Sequence, residues 1–392
     1  MSRAANGTRA MLRFTHIHLE NWRNFARVDT DLQRRVFLVG PNASGKSNFL
    51  DVFRFLRDIA AVGGGRGFAF AVRDRGGVSR LRCLAARRYS DIAILVRIGT
   101  DETPSAWEYE LRFGQDRAQR PIVKRERVSH QGEEVLFRSL KEESADPERL
   151  TQTHLEQVAS NQAFRDVADF LQSIQYLHIV PQLVRDVNRS VGRKNDPYGG
   201  DFLEQIAGTP EKTRKAWLRR IQEALKVAVP QLEELKLERD PRDGTPHLKA
   251  KYQHWRPHGA WQSEGEFSDG TLRLMGLLWA VLEGRGPLLL EEPELSLHTE
   301  VIRYIPQMFA AMQRRTGRQI MASSHSSDLL RDPGIGLDEV LLLKPEDEGT
   351  AVRAAGEFDE IKALLEAGLS LDDAVMPHTR PEKARQLALF GD

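Results

Sequence analysis

An eight-residue glycine-rich segment, GPNASGKS at residues 40–47, constrains the fold more than any other part of the sequence. It fits the pattern G-x-x-x-x-G-K-[ST], whose backbone N–H groups curl around phosphate oxygens. The apolar segment Arg35–Val39 precedes it, and apolar residues at helical spacing follow it. A strand, a phosphate-binding turn and a helix in this order predict an α/β fold built around a P-loop.

The lysine and serine that end this motif are the expected contacts to phosphate and metal. Lys46 would reach the β- and γ-phosphates of a nucleotide, and Ser47 would ligate Mg²⁺. The N-terminus of the following helix offers further N–H groups to the same negative charge. We therefore predict a nucleotide-binding site formed by nine consecutive residues: Gly40, Pro41, Asn42, Ala43, Ser44, Gly45, Lys46, Ser47 and Asn48.

A second segment, residues 287–292 (PLLLEE), predicts a buried strand that ends in two carboxylates. Such a strand delivers acidic side chains to the edge of a sheet, where they can hold Mg²⁺ and a water molecule. We expect Glu291 to support the metal and Glu292 to polarise the attacking water. The alternative is a solvated acidic turn, and the nearby P-loop favours the catalytic interpretation.

Three further positions have both a structural and a functional interpretation. Ser268, Asp269 and Gly270 precede an apolar helix, so the serine is either an ordinary N-cap or part of a loop that contacts a γ-phosphate. His325 follows the strand-like segment QIMASS and is either structural or a γ-phosphate contact. Gln182 follows another strand and is either a polar surface residue or a sensor of metal and water.

Composition excludes several classes of protein. The 392 residues carry a formal net charge of +1, so the overall charge does not indicate a nucleic-acid or membrane partner. The single cysteine, Cys83, excludes an internal disulfide and agrees with a cytoplasmic location. The longest apolar run, Leu274 to Leu282, is too short to span a membrane. Basic clusters at Arg73–Arg88 and Arg117–Arg127 are typical of solvated faces, with a phosphate backbone as the alternative ligand.

The remaining pattern predicts an arrangement of elements around these motifs. Residues 60–82 are rich in Gly and Arg and are predicted to form a flexible loop. Apolar segments between residues 91 and 137 alternate with turns and predict an antiparallel meander. Helices are expected over 201–229, 270–283 and 299–315, and EVLLLK at 339–344 is expected to be the last strand before a helical, charged tail.

In their order along the chain, these segments resemble the ABC-type ATPase heads of the RecF, SMC and OLD group, especially the stand-alone RecF-like AAA-family ATPases of bacteria. The resemblance extends from about residue 11 to 345. It rests on NWRNF (21–25), the P-loop, SDGT (268–271), LLLEEPE (288–294), SLH (296–298) and SSHSSDLL (323–330).

The resemblance implies roles for individual residues. Lys46, Glu292 and His325 carry over as catalytic residues, and Ser47 with Glu291 as the metal site for Mg²⁺ bound with ATP. Glu291 stands where many relatives have Asp.

Other roles implied by the resemblance concern the neighbouring subunit and the nucleotide. Ser268, Asp269 and Gly270 correspond to a signature loop that acts on the opposite subunit, although the sequence is SDGT rather than SGGQ. Ser296 begins the D-loop. Arg23 and Asn24 lie where related heads approach the nucleotide.

The resemblance also implies a discontinuous ATPase core and a homodimer that forms around ATP. We predict a first lobe with the P-loop and the antiparallel subdomain at 11–184, and a helical lobe with the signature loop at 185–283. Residues 284–345 return to the first lobe, and 346–392 form a C-terminal tail.

Two functions fit this architecture. One is an ATP-hydrolysing head that acts on DNA in repair or anti-phage defence. The other is an ATP-gated sensor or scaffold that controls a separate effector, such as a nuclease or toxin, in trans and hydrolyses ATP slowly. A transporter subunit is disfavoured because about 220 residues separate the P-loop from SDGT. The sequence offers no coiled-coil arm and too few residues after His325 for a TOPRIM nuclease domain.

Overall fold

A computed structural model describes residues 11–61, 66–85, 91–143, 145–186, 196–253 and 260–380. Within these ranges the chain forms three sheets, two of six strands and one of three. None of the helices in the described ranges is long and apolar enough to cross a membrane.

The central sheet carries the motifs predicted to bind nucleotide. Its strands in spatial order are β15 (Gly349–Ala354), β14 (Val340–Glu346), β3 (Arg35–Val39), β13 (Ile320–Ser324), β12 (Leu288–Glu291) and β8 (Gln175–Leu177). Every pair is parallel except β14 with β15. Because parallel strands end at the same edge, the residues that follow β3, β12 and β13 converge there.

The second sheet is the antiparallel meander predicted from the sequence. Its strands in spatial order are β2 (Phe25–Asp31), β1 (Arg13–Trp22), β4 (Ile92–Gly99), β5 (Trp107–Gln115), β6 (Pro121–His130) and β7 (Glu133–Ser139). Two of the three basic residues of β6 form ion pairs across this sheet, Arg125 with Glu110 and Arg127 with Glu108. Part of the second basic cluster therefore forms cross-strand ion pairs.

A third, three-stranded antiparallel sheet lies in the region predicted to be a helical lobe. Its strands in spatial order are β11 (Ala260–Ser263), β10 (Pro246–Tyr252) and β9 (Leu232–Arg239). One apolar cluster joins this sheet to the surrounding helices through buried residues such as Leu225, Leu248 and Trp279. The lobe is thus mixed rather than wholly helical, while the division at residues 184, 283 and 345 stays a prediction.

The helices of the described ranges are distributed along the whole chain. They are α1 (Lys46–Ala60), α2 (Phe68–Asp74), α3 (Val78–Leu81), α4 (Arg165–Gln172), α5 (Pro181–Arg185), α6 (Phe202–Gly208), α7 (Glu211–Ala228), α8 (Asp269–Leu282), α9 (Thr299–Ile302), α10 (Ile305–Thr316), α11 (Ser327–Leu330), α12 (Asp359–Glu366) and α13 (Leu371–Val375). Short 3₁₀ turns lie at Pro147–Thr151, Gln162–Phe164, Leu337–Glu339, Ala355–Glu357 and Met376–Thr379.

Helix α1 is the core element that joins the two larger sheets. Its apolar residues, among them Phe49, Phe53 and Leu56, are fully buried in one cluster with residues of both sheets. Leu289 of β12 and Ile94 of β4 belong to the same cluster. The P-loop at the start of α1 is therefore held against the central sheet by the largest core of the molecule.

Two expectations about secondary structure are wrong. The described part of the supposed loop at 60–82 contains α2 and α3, because Phe68, Val72 and Leu81 are buried in the main core. β14 is also not the last strand, since the following residues turn back and pair with it as β15.

Candidate nucleotide and metal site

The P-loop turns through two left-handed residues that its sequence must accommodate. Ala43 has φ 62° and Gly45 has φ 97°. A Cβ atom at Gly45 would lie 2.2 Å from Nδ2 of Asn24, and one at Gly40 would lie 2.5 Å from the carbonyl oxygen of Leu343. Glycine is therefore favoured at Gly45 by its left-handed backbone and by a close neighbour, and at Gly40 by the close neighbour alone.

Lys46 lies against the loop from which it starts. Its Nζ donates to the carbonyl oxygens of Gly40 and Pro41, each at 3.0 Å. Burial lowers the pKa of Lys46 to about 8, and the charges of Glu292 and Glu291 oppose that shift. An anion placed at the loop would restore a counter-charge to this buried ammonium group.

Asn24 links the loop to the turn between β1 and β2. Its Nδ2 donates to the carbonyl oxygen of Ser44 at 2.9 Å, and its Oδ1 accepts from Asn48 Nδ2 at 2.7 Å. Its neighbour Arg23 instead pairs with Asp51 of α1 at 2.8 Å. The structure thus brings Asn24 into contact with the predicted nucleotide site, while Arg23 is paired with a buried carboxylate and lines the cavity beside Ser47 and Glu291.

The acidic end of β12 meets the start of α1. The carboxylate of Glu291 accepts a hydrogen bond from Ser47 Oγ and another from the hydroxyl of Tyr176. His178 Nδ1 lies 3.3 Å from the carbonyl oxygen of Glu291 and donates to it. Burial, together with the negative charge of Glu291, raises the pKa of Tyr176, so its hydroxyl remains a donor.

Glu292 lies one residue further on and contacts the predicted histidine. Oε1 of Glu292 is 3.3 Å from Nε2 of His325. This contact is the largest influence on Glu292 and lowers the pKa of its carboxyl group, which burial opposes. Its backbone has φ 44°, and its N–H donates to the carbonyl oxygen of Ser323 at 3.1 Å. The left-handed turn directs consecutive carboxylates to different partners.

A third carboxyl group, that of Glu294, fixes the loop that carries the histidine. Oε1 of Glu294 accepts from Ser324 Oγ at 2.6 Å and from the N–H of His325 at 3.1 Å. Burial raises the pKa of Glu294, and the nearby charge of Glu292 adds to that effect. Glu292 and Glu294 are therefore shifted in opposite directions, as expected where an ionised carboxylate lies near a buried one.

The predicted signature loop lies on the surface of the subunit. Ser268 caps α8 by accepting from the N–H of Thr271 at 3.1 Å. A Cβ at Gly270 would lie 2.4 Å from the carbonyl oxygen of Ser296, which itself has φ 62°. Asp269 pairs with Arg185 at 2.6 Å. The signature loop and the predicted D-loop thus form one surface, with Ser268 and Ser296 exposed.

Gln182 is the predicted site residue that the structure leaves apart. It is exposed on the short helix α5, and no hydrogen bond between described residues joins it to Ser47, Glu291 or Glu292. Tyr176 and His178, which do contact Glu291, were missed. They lie two residues apart at the end of β8, so strand alternation places them on one face and could have identified them.

The atoms collected here fit a nucleotide and a hard divalent cation. The hydroxyl of Ser47 and the carboxylate of Glu291 are oxygen donors of the type that Mg²⁺ prefers. Ser44 Oγ is buried and has no hydrogen-bond partner among the described residues, so it can donate to a phosphate oxygen. A polar cavity of about 550 Å³ opens beside Ser47 and Glu291, with Arg54, Tyr176 and Tyr198 among its walls.

Solved structures of SMC heads share this fold. One is an SMC head bound to the C-winged helix domain of ScpA, with TM-score 0.50, 13% identity, and coverage of 92% of this chain and 98% of that one. A second, derived from Pyrococcus furiosus, is an SMC head with an extended coiled coil bound to the C-terminal domain of ScpA (TM-score 0.51, 11% identity, 91% and 100% covered). A third, derived from Pyrococcus yayanosii, is an SMC head with a coiled coil and joint (TM-score 0.50, 11% identity, 92% and 100% covered).

These similarities confirm the predicted α/β P-loop fold of the ABC-type head. Comparison with curated proteins gives no match. A family model described as "AAA domain, putative AbiEii toxin, Type IV TA system" matches residues 35–332, which include the P-loop, Glu291, Glu292 and His325. The chain therefore belongs to this family of AAA-domain P-loop ATPases.

Proposed function

We propose that this protein binds ATP with Mg²⁺ and hydrolyses it as a head that dimerises around the nucleotide. One observation carries the proposal. The P-loop, the Ser47–Glu291 contact and the Glu292–His325 contact all lie at the carboxyl edge of the same parallel sheet. In the proposed reaction, these residues would supply the phosphate, metal and water ligands of one site.

Each group of the chain has a role in this reaction. Lys46 exchanges its two carbonyl partners for phosphate oxygens, and the N-terminus of α1 adds N–H groups. Glu292 is ionised and accepts a proton from the attacking water, while His325 orients its carboxylate and contacts the γ-phosphate. Ser47 and Glu291 would hold Mg²⁺, which would neutralise charge on the phosphates.

The exposed signature surface supports a two-subunit mechanism. Ser268 and Ser296 lie at the surface. Among the described residues, no hydrogen bond joins the signature loop to Lys46, Ser47, Glu291 or Glu292 of the same chain. In a twofold dimer, Ser268 and Gly270 of one subunit would complete the P-loop site of the other. Hydrolysis would then remove the γ-phosphate that joins the subunits.

We propose that this head acts on DNA, either in repair or in anti-phage defence, and that it does so in the cytoplasm. The alternative is an ATP-gated scaffold that controls an effector in trans. The description of the family, which names a toxin of a toxin–antitoxin system, favours this alternative. So do the solved SMC heads that are bound to a domain of ScpA.

The first experiment measures the mass of Glu292→Gln by light scattering. Without the base, ATP should remain bound, so Mg-ATP should convert monomer to dimer and added duplex DNA should give a heavier species. Lys46→Ala is the control, and it should neither bind nucleotide nor dimerise. Hydrolysis by Glu292→Gln at the parent rate would exclude Glu292 as the base. An unchanged mass on addition of Mg-ATP would contradict dimerisation around the nucleotide. A dimer whose mass does not increase on addition of duplex DNA would favour the scaffold.

A further inference from the structure

The second oxygen of Glu291 is held by a side chain outside the recognised motifs. We infer that Tyr176 is a positioning residue whose hydroxyl orients the Glu291 carboxylate for the metal, with Arg54 holding the tyrosine ring in place. The inference rests on the proposed function, because it concerns the Mg²⁺ that accompanies ATP.

Sheet register places Tyr176 beside the metal-binding carboxylate. In the β8–β12 ladder, Tyr176 pairs with Leu289 and Leu177 with Leu290, so β8 ends beside Glu291. Tyr176 is 9% exposed, and its hydroxyl donates to one Glu291 oxygen while Ser47 donates to the other. The carboxylate is thus fixed at both oxygens by groups on two different elements.

Helix α1 carries two residues of this arrangement, one that contacts the carboxylate and one that contacts the tyrosine ring. Ser47 and Arg54 are seven residues apart, so they lie on the same face of α1 two turns from each other. The guanidinium carbon of Arg54 lies 4.3 Å from the centroid of the Tyr176 ring, within cation–π range. Nη1 of Arg54 is in turn 3.7 Å from Oδ1 of Asp51 on the same helix.

The choice of glutamate at position 291 explains why such a contact matters. Glutamate has one more rotatable bond than aspartate, so its carboxylate has more orientations to lose when it holds a metal. The Ser47 oxygen can coordinate a metal while its O–H still donates to Glu291, so Ser47 fixes one carboxylate oxygen only. The Tyr176 hydroxyl fixes the other oxygen, and outer contacts of this kind strengthen metal binding.

The test separates the hydroxyl from the ring. Tyr176→Phe keeps the packed ring and its contact with Arg54 but removes the donor. Tyr198→Phe is the matched control, because Tyr198 lines the same cavity and is 44% exposed. The measurement is the Mg²⁺ concentration that half-saturates binding of a fluorescent ATP analogue, together with binding of the same analogue in EDTA.

For Tyr176→Phe we expect about a tenfold higher half-saturating Mg²⁺ concentration, with unchanged binding in EDTA. Tyr198→Phe should match the parent in both measurements. A Tyr176→Phe value within twofold of the parent would overturn the inference, as would an equal weakening in EDTA. If the parent itself shows no Mg²⁺-dependent binding, the proposed function fails instead.

A second pair of variants tests the part assigned to Arg54. Arg54→Gln removes the cation from the ring face, whereas Arg54→Lys keeps it. Arg54→Gln should raise the half-saturating Mg²⁺ concentration in the same direction as Tyr176→Phe, and Arg54→Lys should recover most of the loss. Equal values for Gln, Lys and the parent would show that Arg54 does not position the ring.

Discussion

Neighbouring groups and burial shift the pKa values of the charged side chains at this site in different directions. His325 keeps the pKa of Glu292 low, while burial raises the pKa of Glu294 two residues away. Lys46 is buried against two carbonyl groups, and its pKa falls to about 8 although carboxylates lie nearby. The site is thus prepared for an anion, because phosphate would favour the charged form of Lys46.

The low pKa of Lys46 predicts a pH dependence of ATP affinity. Only the protonated lysine pairs with phosphate, so binding must take up a proton once the pH exceeds about 8. At fixed Mg²⁺ we expect the dissociation constant to rise by about twofold from pH 7 to 8. Above pH 8 it should weaken towards about tenfold per pH unit.

The measurement is a titration with a fluorescent ATP analogue at intervals between pH 7 and 9.5. Lys46→Arg is the control, since a guanidinium group stays charged over this range and should give a flat profile. An equally flat profile for the parent protein would show that Lys46 has an ordinary pKa in the free protein.

The patterns that are contiguous in sequence are the ones whose local structure was predicted correctly: the strand, turn and helix around the P-loop and the strand that ends at Glu291. The P-loop has a fixed spacing because one turn must expose several N–H groups to phosphate. The segment PLLLEE can be recognised as a strand because a buried strand needs an uninterrupted apolar run. Tyr176 and His178 have no such spacing relative to Glu291. Their contact with it arises from the pairing of β8 with β12, which connects residues more than a hundred positions apart.

At the scale of elements, buried ion pairs order segments whose composition suggests a loop. Arg75 lies in the Gly- and Arg-rich segment predicted to be flexible, yet it is buried and donates to Asp51 and Asp58 of α1. These bonds fix α2 and α3 against the core. Composition could not predict this, since the partners of Arg75 lie on another helix.

Arg318 performs a similar task at the other end of the central sheet. It is 1% exposed and donates to the carbonyl oxygens of Ala280 and Glu283 near the end of α8, and to that of Gly286. Burial lowers its pKa to about 10, which still leaves the guanidinium charged at neutral pH. It thereby supplies the hydrogen bonds that the last carbonyls of a helix lack.

Arg318→Met should therefore destabilise the protein strongly. The change leaves buried carbonyl groups without donors, and we expect the free energy of unfolding to fall by about 3 kcal/mol or more. The measurement is chemical denaturation followed by circular dichroism. Arg315→Met is the matched control on the exposed face of α10 and should change stability by less than about 0.5 kcal/mol. Equal midpoints for the two variants would refute the capping role of Arg318.

At the scale of the whole molecule, the proposed two-subunit ATP site combines a buried residue with an exposed one. Lys46 is buried in the P-loop, whereas Ser268 is exposed beside Ser296 on the predicted signature surface. The sequence predicts this arrangement only through the family resemblance, since nothing in the residues themselves assigns Ser268 to a neighbouring subunit. A twofold axis that brings Ser268 of one subunit to Lys46 of the other would form two equivalent sites.

This geometry predicts complementation between two inactive variants. Lys46→Ala removes the phosphate contact, and Ser268→Arg blocks the surface that would approach the other subunit. Each variant alone should be inactive, because Lys46→Ala binds no nucleotide and Ser268→Arg blocks the surface that would approach it, so two identical chains cannot form an intact site. A mixed dimer, however, has one site with Lys46 from one subunit and Ser268 from the other. An equal mixture should therefore regain up to about a quarter of the parent ATPase rate. Random pairing makes half of the pairs mixed with one intact site each, and a pair joined by one nucleotide instead of two dissociates more readily. Light scattering and thermal unfolding must first show that both variants are folded. No recovery in a mixture of folded chains would mean that Lys46 and Ser268 do not act across a subunit interface.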